Sequence, residues 1–186
     1  MNIILDRPLV ADGQESSPLM PPPRLSLKPA KAAPGLLDGG WWPRSRDLMR
    51  ELPALIDTLD RRWARVTRVA VHPSLWLVIP RRVHASGHVV YVGWSTKQDP
   101  NKLMLLSYSI GRLDLLVIPP ECDLAAAIRM MAAAGNPLCQ LTASGIMADD
   151  DVRSDRSGEA EWESEGGTMS AAGTAAAPGR GGGTWA

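Results

Sequence analysis

Leu103-Met104-Leu105-Leu106-Ser107-Tyr108-Ser109-Ile110-Gly111-Arg112-Leu113-Asp114-Leu115-Leu116-Val117-Ile118 is the stretch that sets the fold class. Two apolar runs, Leu103 to Ser109 and Arg112 to Ile118, flank Ile110-Gly111, which is the pattern of a β-hairpin with glycine at the turn. In the second run Leu113, Leu115 and Val117 share one face of a strand, and Arg112 and Asp114 begin the other. Pro119-Pro120 ends the run, because proline has no N–H for a ladder.

Working toward the N-terminus, the same pattern recurs. Arg82 to His84 and His88 to Trp94 flank Ala85-Ser86-Gly87, read as a three-residue hairpin loop. Val66 to Val71 places Thr67, Val69 and Val71 on one face and stops at His72-Pro73. Leu75 to Ile79 is continuously apolar and reads as a strand buried on both faces, with Pro80 confining any continuation to an edge. Arg24 to Lys28 alternates, with Leu25 and Leu27 together, and reads as a short first strand. Gly35 to Arg44 reads as a loop.

Two stretches carry the helical period. From an N-cap at Ser45 to about Arg62, Leu48, Leu52, Leu55, Leu59 and Trp63 line one face. Pro53 within that pattern predicts a kink or a fresh start, and Arg61 and Arg62 complement the dipole of the last turn. Asp123 caps a second helix through Ala134, with Leu124, Ile128 and Met131 expected inward and Gly135 as the stop. The order β-α-β-β-β-β-β-α with short links predicts an α+β fold. It is a mostly antiparallel sheet of about five to six strands, with two helices packed on one face.

Composition divides the 186 residues. Residues 1–23, ending in Pro21-Pro22-Pro23, and residues 141–186 are poor in large apolar side chains and are expected to be disordered. Residues 24–140 are expected to form a single domain. That domain carries 16 Lys and Arg against 9 Asp and Glu, a net of +7, while residues 141–186 carry 3 against 8, a net of −5. The overall charge of zero therefore conceals a basic domain joined to an acidic tail. Two cysteines are too few for a disulfide framework. The first residues lack a basic and apolar leader, and no run reaches the length of a membrane span. The expectation is a cytoplasmic protein away from the membrane.

The stretch from Arg24 to Ala134 resembles a family of uncharacterised actinobacterial proteins, domain of unknown function 5994. The resemblance rests on Arg24-Leu25-Ser26-Leu27-Lys28-Pro29, on Gly35-Leu36-Leu37-Asp38-Gly39-Gly40-Trp41-Trp42-Pro43-Arg44-Ser45 and on Val66-Thr67-Arg68-Val69. Gly93-Trp94, Gln98-Asp99-Pro100 and the run from Arg112 to Pro120 complete it. It implies no activity, cofactor or catalytic residue.

Several patterns bear on chemistry. The Gly39-Gly40 segment lacks the spacing and lysine of a phosphate loop, and bulky Trp41 and Trp42 stand where a phosphate would approach. Those indoles, with Arg44 and Trp94, instead outline a pocket or partner loop if they are exposed. His84 and His88 flank a turn as possible cross-strand neighbours, but no Cys, Asp or Glu lies between residues 61 and 98 to complete a metal site. Ser107, Ser109 and Cys122 sit in no nucleophile motif, and Cys122, although it precedes a helix start of the kind that can lower a thiol pKa, is expected to be inert. Asp99 and Asp114 have the chemistry of an acid/base pair but nothing that joins them. No catalytic residue, cofactor or metal ligand is assigned. Arg61, Arg62, Arg65, Arg68, Arg81 and Arg82 form the candidate face for an anionic partner, either nucleic acid or acidic protein. The leading expectation is a non-enzymatic interaction or regulatory domain. The alternative is a small-molecule-binding domain, or an enzyme without a recognisable motif.

Overall fold

The computed structural model describes residues 21–29, 32 and 35–165, apart from the side chains of 157–165. Seven strands form one mixed, curled sheet: β1 (Arg24–Leu27), β2 (Gly39–Trp42), β3 (Arg68–Val71), β4 (Arg82–Ala85), β5 (His88–Trp94), β6 (Lys102–Ser107) and β7 (Gly111–Val117). Their spatial order is β1-β2-β7-β6-β3-β5-β4. Neighbours run antiparallel except β2 with β7 and β3 with β5, which are parallel. Three helices accompany the sheet: α1 (Leu48–Arg62), α2 (Leu124–Gly135) and α3 (Ala143–Glu165).

The two expected hairpins form, with Gly111 at φ 107° and Gly87 at φ 71° in their turns. The β4–β5 turn has two residues rather than three, because Ser86 also takes a positive φ of 48°, the paired left-handed geometry of a tight hairpin. The strands do not follow one another as a simple meander. β3 lies between β5 and β6, so the Ser95–Asn101 connection must cross its end. Gln98 closes that gap by donating its amide to the carbonyls of Ala70, at 3.3 Å, and Lys102, at 3.0 Å.

Helix α1 covers one face of the sheet. Asp47, not Ser45, is its N-cap, accepting from the Met49 N–H at 2.9 Å. Ser45 instead donates its hydroxyl to Glu51. The helix continues through Pro53, and Leu48, Leu52, Leu55, Ile56 and Leu59 are wholly buried. They meet Val69, Val71, Val83, Val90, Leu103, Leu105, Leu113, Leu115 and Trp41 in one core. The apolar run at Leu75 to Ile79 is not a strand. Pro73–Leu75 is a single 3-10 turn, Trp76 stacks on Trp41 with ring centroids 5.7 Å apart, and Leu77 and Val78 are exposed.

The opposite face holds a second core, which corrects the expectation of both helices on one side. Leu116, Ile118, Trp42 and Leu37 pack there against Ala126, Ala127, Met130 and Ala134 of α2 and Ala143 and Ile146 of α3. α2 buries Ala126, Ala127, Met130 and Ala134 and packs Met131 against them, but leaves Leu124 and Ile128 exposed, so only one of the three residues expected inward lies there. Gly40 explains this. A Cβ there would lie 3.3 Å from both the Ala134 Cβ and the Met131 Cα, so the helix sits directly on bare backbone. Small inward side chains permit that approach, and large ones would lift the helix off the strand.

Two corrections remain. Glycine is a poor strand former, and the expectation of a loop over Gly35 to Arg44 fails at β2, whose four residues are buried and hydrogen-bonded between β1 and β7. The third helix comes from the stretch expected to be a disordered tail, where Ala143, Ile146 and Asp150 are buried. The rest of the two ends expected to be disordered, residues 1–20 and 166–186, lies outside the described residues. Among the described residues no helix is long and apolar enough to cross a membrane.

Gly39 provides a test of the β1 edge, because a Cβ at that position would lie 2.1 Å from the Ser26 carbonyl oxygen, a backbone atom. Gly39→Ala should lower stability by about 1–3 kcal/mol in urea unfolding and remove amide-exchange protection from β1. Gly93→Ala, where the nearest atom is 4.0 Å away, should change little.

Candidate functional site

Strands β3, β4, β5 and β6 alternate, so each sends one set of side chains into the α1 core and the other to the opposite face. The inward set is Val69, Val71, Val83, Ala85, Val90, Val92, Leu103 and Leu105. The outward set includes Arg68, Arg82, Tyr91, Lys102, Met104 and Leu106, none of which is buried. The core formed by α2 and α3 draws on β2, β7 and the segments beside them, so among the described residues this part of the sheet has one open face. Register aligns it: Arg112 pairs with Leu106, Leu106 with Arg68, Arg68 with Tyr91, and Tyr91 with Arg82. That row crosses five strands, roughly 19 Å at the usual inter-strand spacing. The four strands β3 to β6 contain no Asp or Glu.

The structure brings together two of the six proposed arginines, Arg68 and Arg82, one on each side of Tyr91. Arg61 and Arg62 are exposed at the end of α1, on the other side of the sheet. Arg65 is exposed in the following connection, and Arg81 is exposed just before β4, where its carbonyl accepts from Val92. None of the six makes an ion pair among the described residues.

Arg112 belongs to the row and was not in the proposed set. Its place at the start of the second hairpin arm, on the face opposite Leu113, was the available signal. It differs from Arg68 and Arg82 in being paired, with its guanidinium donating twice to Asp114. Those bonds, against some desolvation, hold its pKa above the ordinary arginine value. Lys102 approaches the same carboxylate at 3.6 Å. At the end of the row a hollow of about 420 Å³ is bounded by Arg68, Leu106, Tyr108 and Arg112.

Trp41, Trp42, Arg44 and Trp94 do not line one pocket. Trp41 and Trp42 are adjacent in β2 and therefore enter opposite cores, where both are buried. Arg24 lies 3.4 Å above the Trp42 ring and donates to the carbonyls of Trp42 and Pro43. Burial, then the charge of Arg44, pulls the Arg24 pKa down. Arg44 is exposed and bounds a separate hollow of about 240 Å³ beside Arg50 and Glu51. Trp94 is exposed at the far end of β5.

The remaining candidates are dispersed. His88 reaches the Val66 carbonyl at 2.8 Å on the α1 side, whereas His84, two strand positions from Arg82, faces the open side. The two histidines are thus not cross-strand neighbours on one face. His72 bonds Ser74 in the 3-10 turn. The hydroxyls of Ser107 and Ser109 bond each other at 3.0 Å. Burial pushes the Cys122 thiol up, and the carboxylates of Asp123, Asp150, Asp151 and Glu121 add to that, so the helix start beside it does not lower its pKa. Asp114 is bound to Arg112, while Asp99 accepts from the Ser144 hydroxyl at 2.6 Å and the Ser144 N–H at 2.9 Å. These aspartates serve different parts of the fold. Among the described residues no three His, Cys, Asp or Glu side chains cluster as metal ligands.

The fold and this face define an α+β domain with an open, basic sheet surface. The chain belongs to the family of unknown function DUF5994, whose model matches residues 24–134. No curated protein and no solved structure matches it. Helix α3 lies beyond the matched span.

Asp99 connects α3 to the sheet and makes that connection sensitive to acid. Burial alone would raise its pKa. The bonds from Ser144 and Asn101 and the charge of Lys102 outweigh that, so it lies below the ordinary 3.8. A carboxylate with a lowered folded-state pKa stabilises fully above its unfolded value and loses that contribution as pH falls through the folded one. Asp99→Ala should therefore cost about 1–2 kcal/mol in urea unfolding at pH 7. The gap between variant and parent should close as pH falls below 3.8. A gap that persists at low pH would show that Asp99 acts through packing and not through charge.

Proposed function

We propose that this chain is a non-enzymatic interaction module that holds an anionic partner, a nucleic acid or an acidic protein, on the open face of β3 to β6. The observation carrying this reading is the register row Arg112–Leu106–Arg68–Tyr91–Arg82, whose last four members stand on strands without an acidic residue. Arg68 and Arg82 are exposed and without an ion-pair partner among the described residues, so their planar forks are available to oxyanions. Exposed ion pairs contribute only about 0–1 kcal/mol each, so the face suits a partner that presents several negative groups at once. Such binding weakens with salt.

The test compares two charge reversals on opposite sides of the sheet. Arg68→Glu with Arg82→Glu should weaken retention on immobilised heparin at low salt about tenfold or more, while Arg61→Glu with Arg62→Glu should have a much smaller effect. Since all four side chains are exposed, each double variant should unfold within about 1 kcal/mol of the parent. Equal retention of the first double variant and the parent would end this reading.

A further inference from the structure

We infer that the anionic partner is a single-stranded nucleic acid whose bases stack on Tyr91 and Tyr108. This rests on the preceding reading of the face and names its ligand class. Two observations separate it from a general attraction for negative charge. First, the chain has only two tyrosines, and both are exposed at this part of the sheet, Tyr91 by 60% and Tyr108 by 84%. Tyr108 bounds the hollow at one end of the row, next to Arg68 and Arg112. Second, Tyr91 stands in register between two arginines without an ion-pair partner among the described residues. No ring and no cation is stacked on either tyrosine among the described residues.

A phosphate chain with bases needs both kinds of group. Arginine forks hold phosphate oxygens, and an aromatic ring takes a base of any identity, because every base has a π-face. In a duplex the bases are stacked on one another and present no face to a tyrosine, so the same surface favours a single strand. An acidic protein offers carboxylates to the arginines but gives the two tyrosines no matching group.

The experiment uses the full chain and a fluorescein-labelled oligo(dT) of about twelve nucleotides, followed by fluorescence anisotropy. Tyr91→Ala should weaken binding roughly 5- to 100-fold, and Tyr91→Phe should preserve it. Tyr108→Ala, at a more exposed position, should also weaken it. Heparin retention should be unchanged in all three, since none alters charge. Arg68→Ala with Arg82→Ala should flatten the dependence of log affinity on log salt by about 1.4. The matched duplex should bind more weakly than the single strand. Equal oligonucleotide binding by Tyr91→Ala and the parent would overturn this inference, as would tighter binding of the duplex or of polyglutamate. If heparin retention still depended on Arg68 and Arg82, the anion-binding face would stand without it. Loss of that dependence would overturn both.

Discussion

Strand β2 must pass between two other strands and between two hydrophobic layers within four residues, and its Gly-Gly-Trp-Trp sequence meets each demand separately. Gly39 lets the β1 backbone come close, and Gly40 lets α2 rest on the sheet. Trp41 fills the α1 core against Trp76, and Trp42 fills the other beneath Arg24. The preceding Asp38 completes the junction: its carboxylate accepts from the Asp114 N–H, its N–H donates to the Asp114 carbonyl, and its own carbonyl accepts from Lys28. β1, β2 and β7 are thereby held in register at the point where both cores begin. The second layer follows from this placement. α2 is anchored where a glycine and a row of alanines permit close approach, and α3 docks beside it through Ile146 and the Arg129–Asp150 ion pair.

What could be read from the sequence follows the range of the forces involved. The β6–β7 and β4–β5 hairpins depend on alternation and turn chemistry close along the chain, and both form, the β4–β5 turn one residue shorter than expected. α1 depends on its own leucine spacing and ends where its two arginines predict. The larger failures are tertiary. Leu75 to Ile79 has strand composition, yet Trp76 is drawn to Trp41, and Leu77 and Val78 are left in solvent. Of the leucine-isoleucine-methionine stripe of α2 only Met131 packs inward, because the strand it meets has no side chain at Gly40 and the helix sits closest through its alanines. The parallel pairing of β3 with β5 leaves no local trace, because it depends on a hairpin folding back outside an earlier strand. The open face shows the same division. Arg68 and Arg82 were identifiable as cations, but only the register of three strands places Tyr91 between them. Arg112 was missed because its relation to Arg68 passes through Leu106.

The charge division seen along the chain is sorted differently in space. Part of the acidic segment is structural, since Asp150 is buried against Arg129 and Asp149 pairs with Arg153. These carboxylates dock and rigidify α3 and do not trail as a loose counter-charge to the domain. Near α1 the acids are likewise in use, Asp57 accepting from Ser86 and Asp60 from the Val66 N–H. Asp114 neutralises Arg112 and faces Lys102.

A polar sheet face exposed to water is ordinary for antiparallel strands and by itself indicates nothing about binding. Its sign pattern carries more weight. Cross-strand pairs of opposite charge stabilise a sheet, and like charges brought close oppose it, so a face selected only for solubility gains from mixing signs. This protein uses such mixing elsewhere: Arg46 with Glu121, Arg129 with Asp150, Arg153 with Asp149, and Arg112, at the end of the row, with Asp114 beside it on β7. Two and four strand spacings further on, Arg68 and Arg82 stand on strands without any acid, and the residue between them is an exposed aromatic ring. Folding does not require that arrangement, because a glutamate at either position would serve the sheet better. A negatively charged partner able to stack on the ring would supply what the strands leave out.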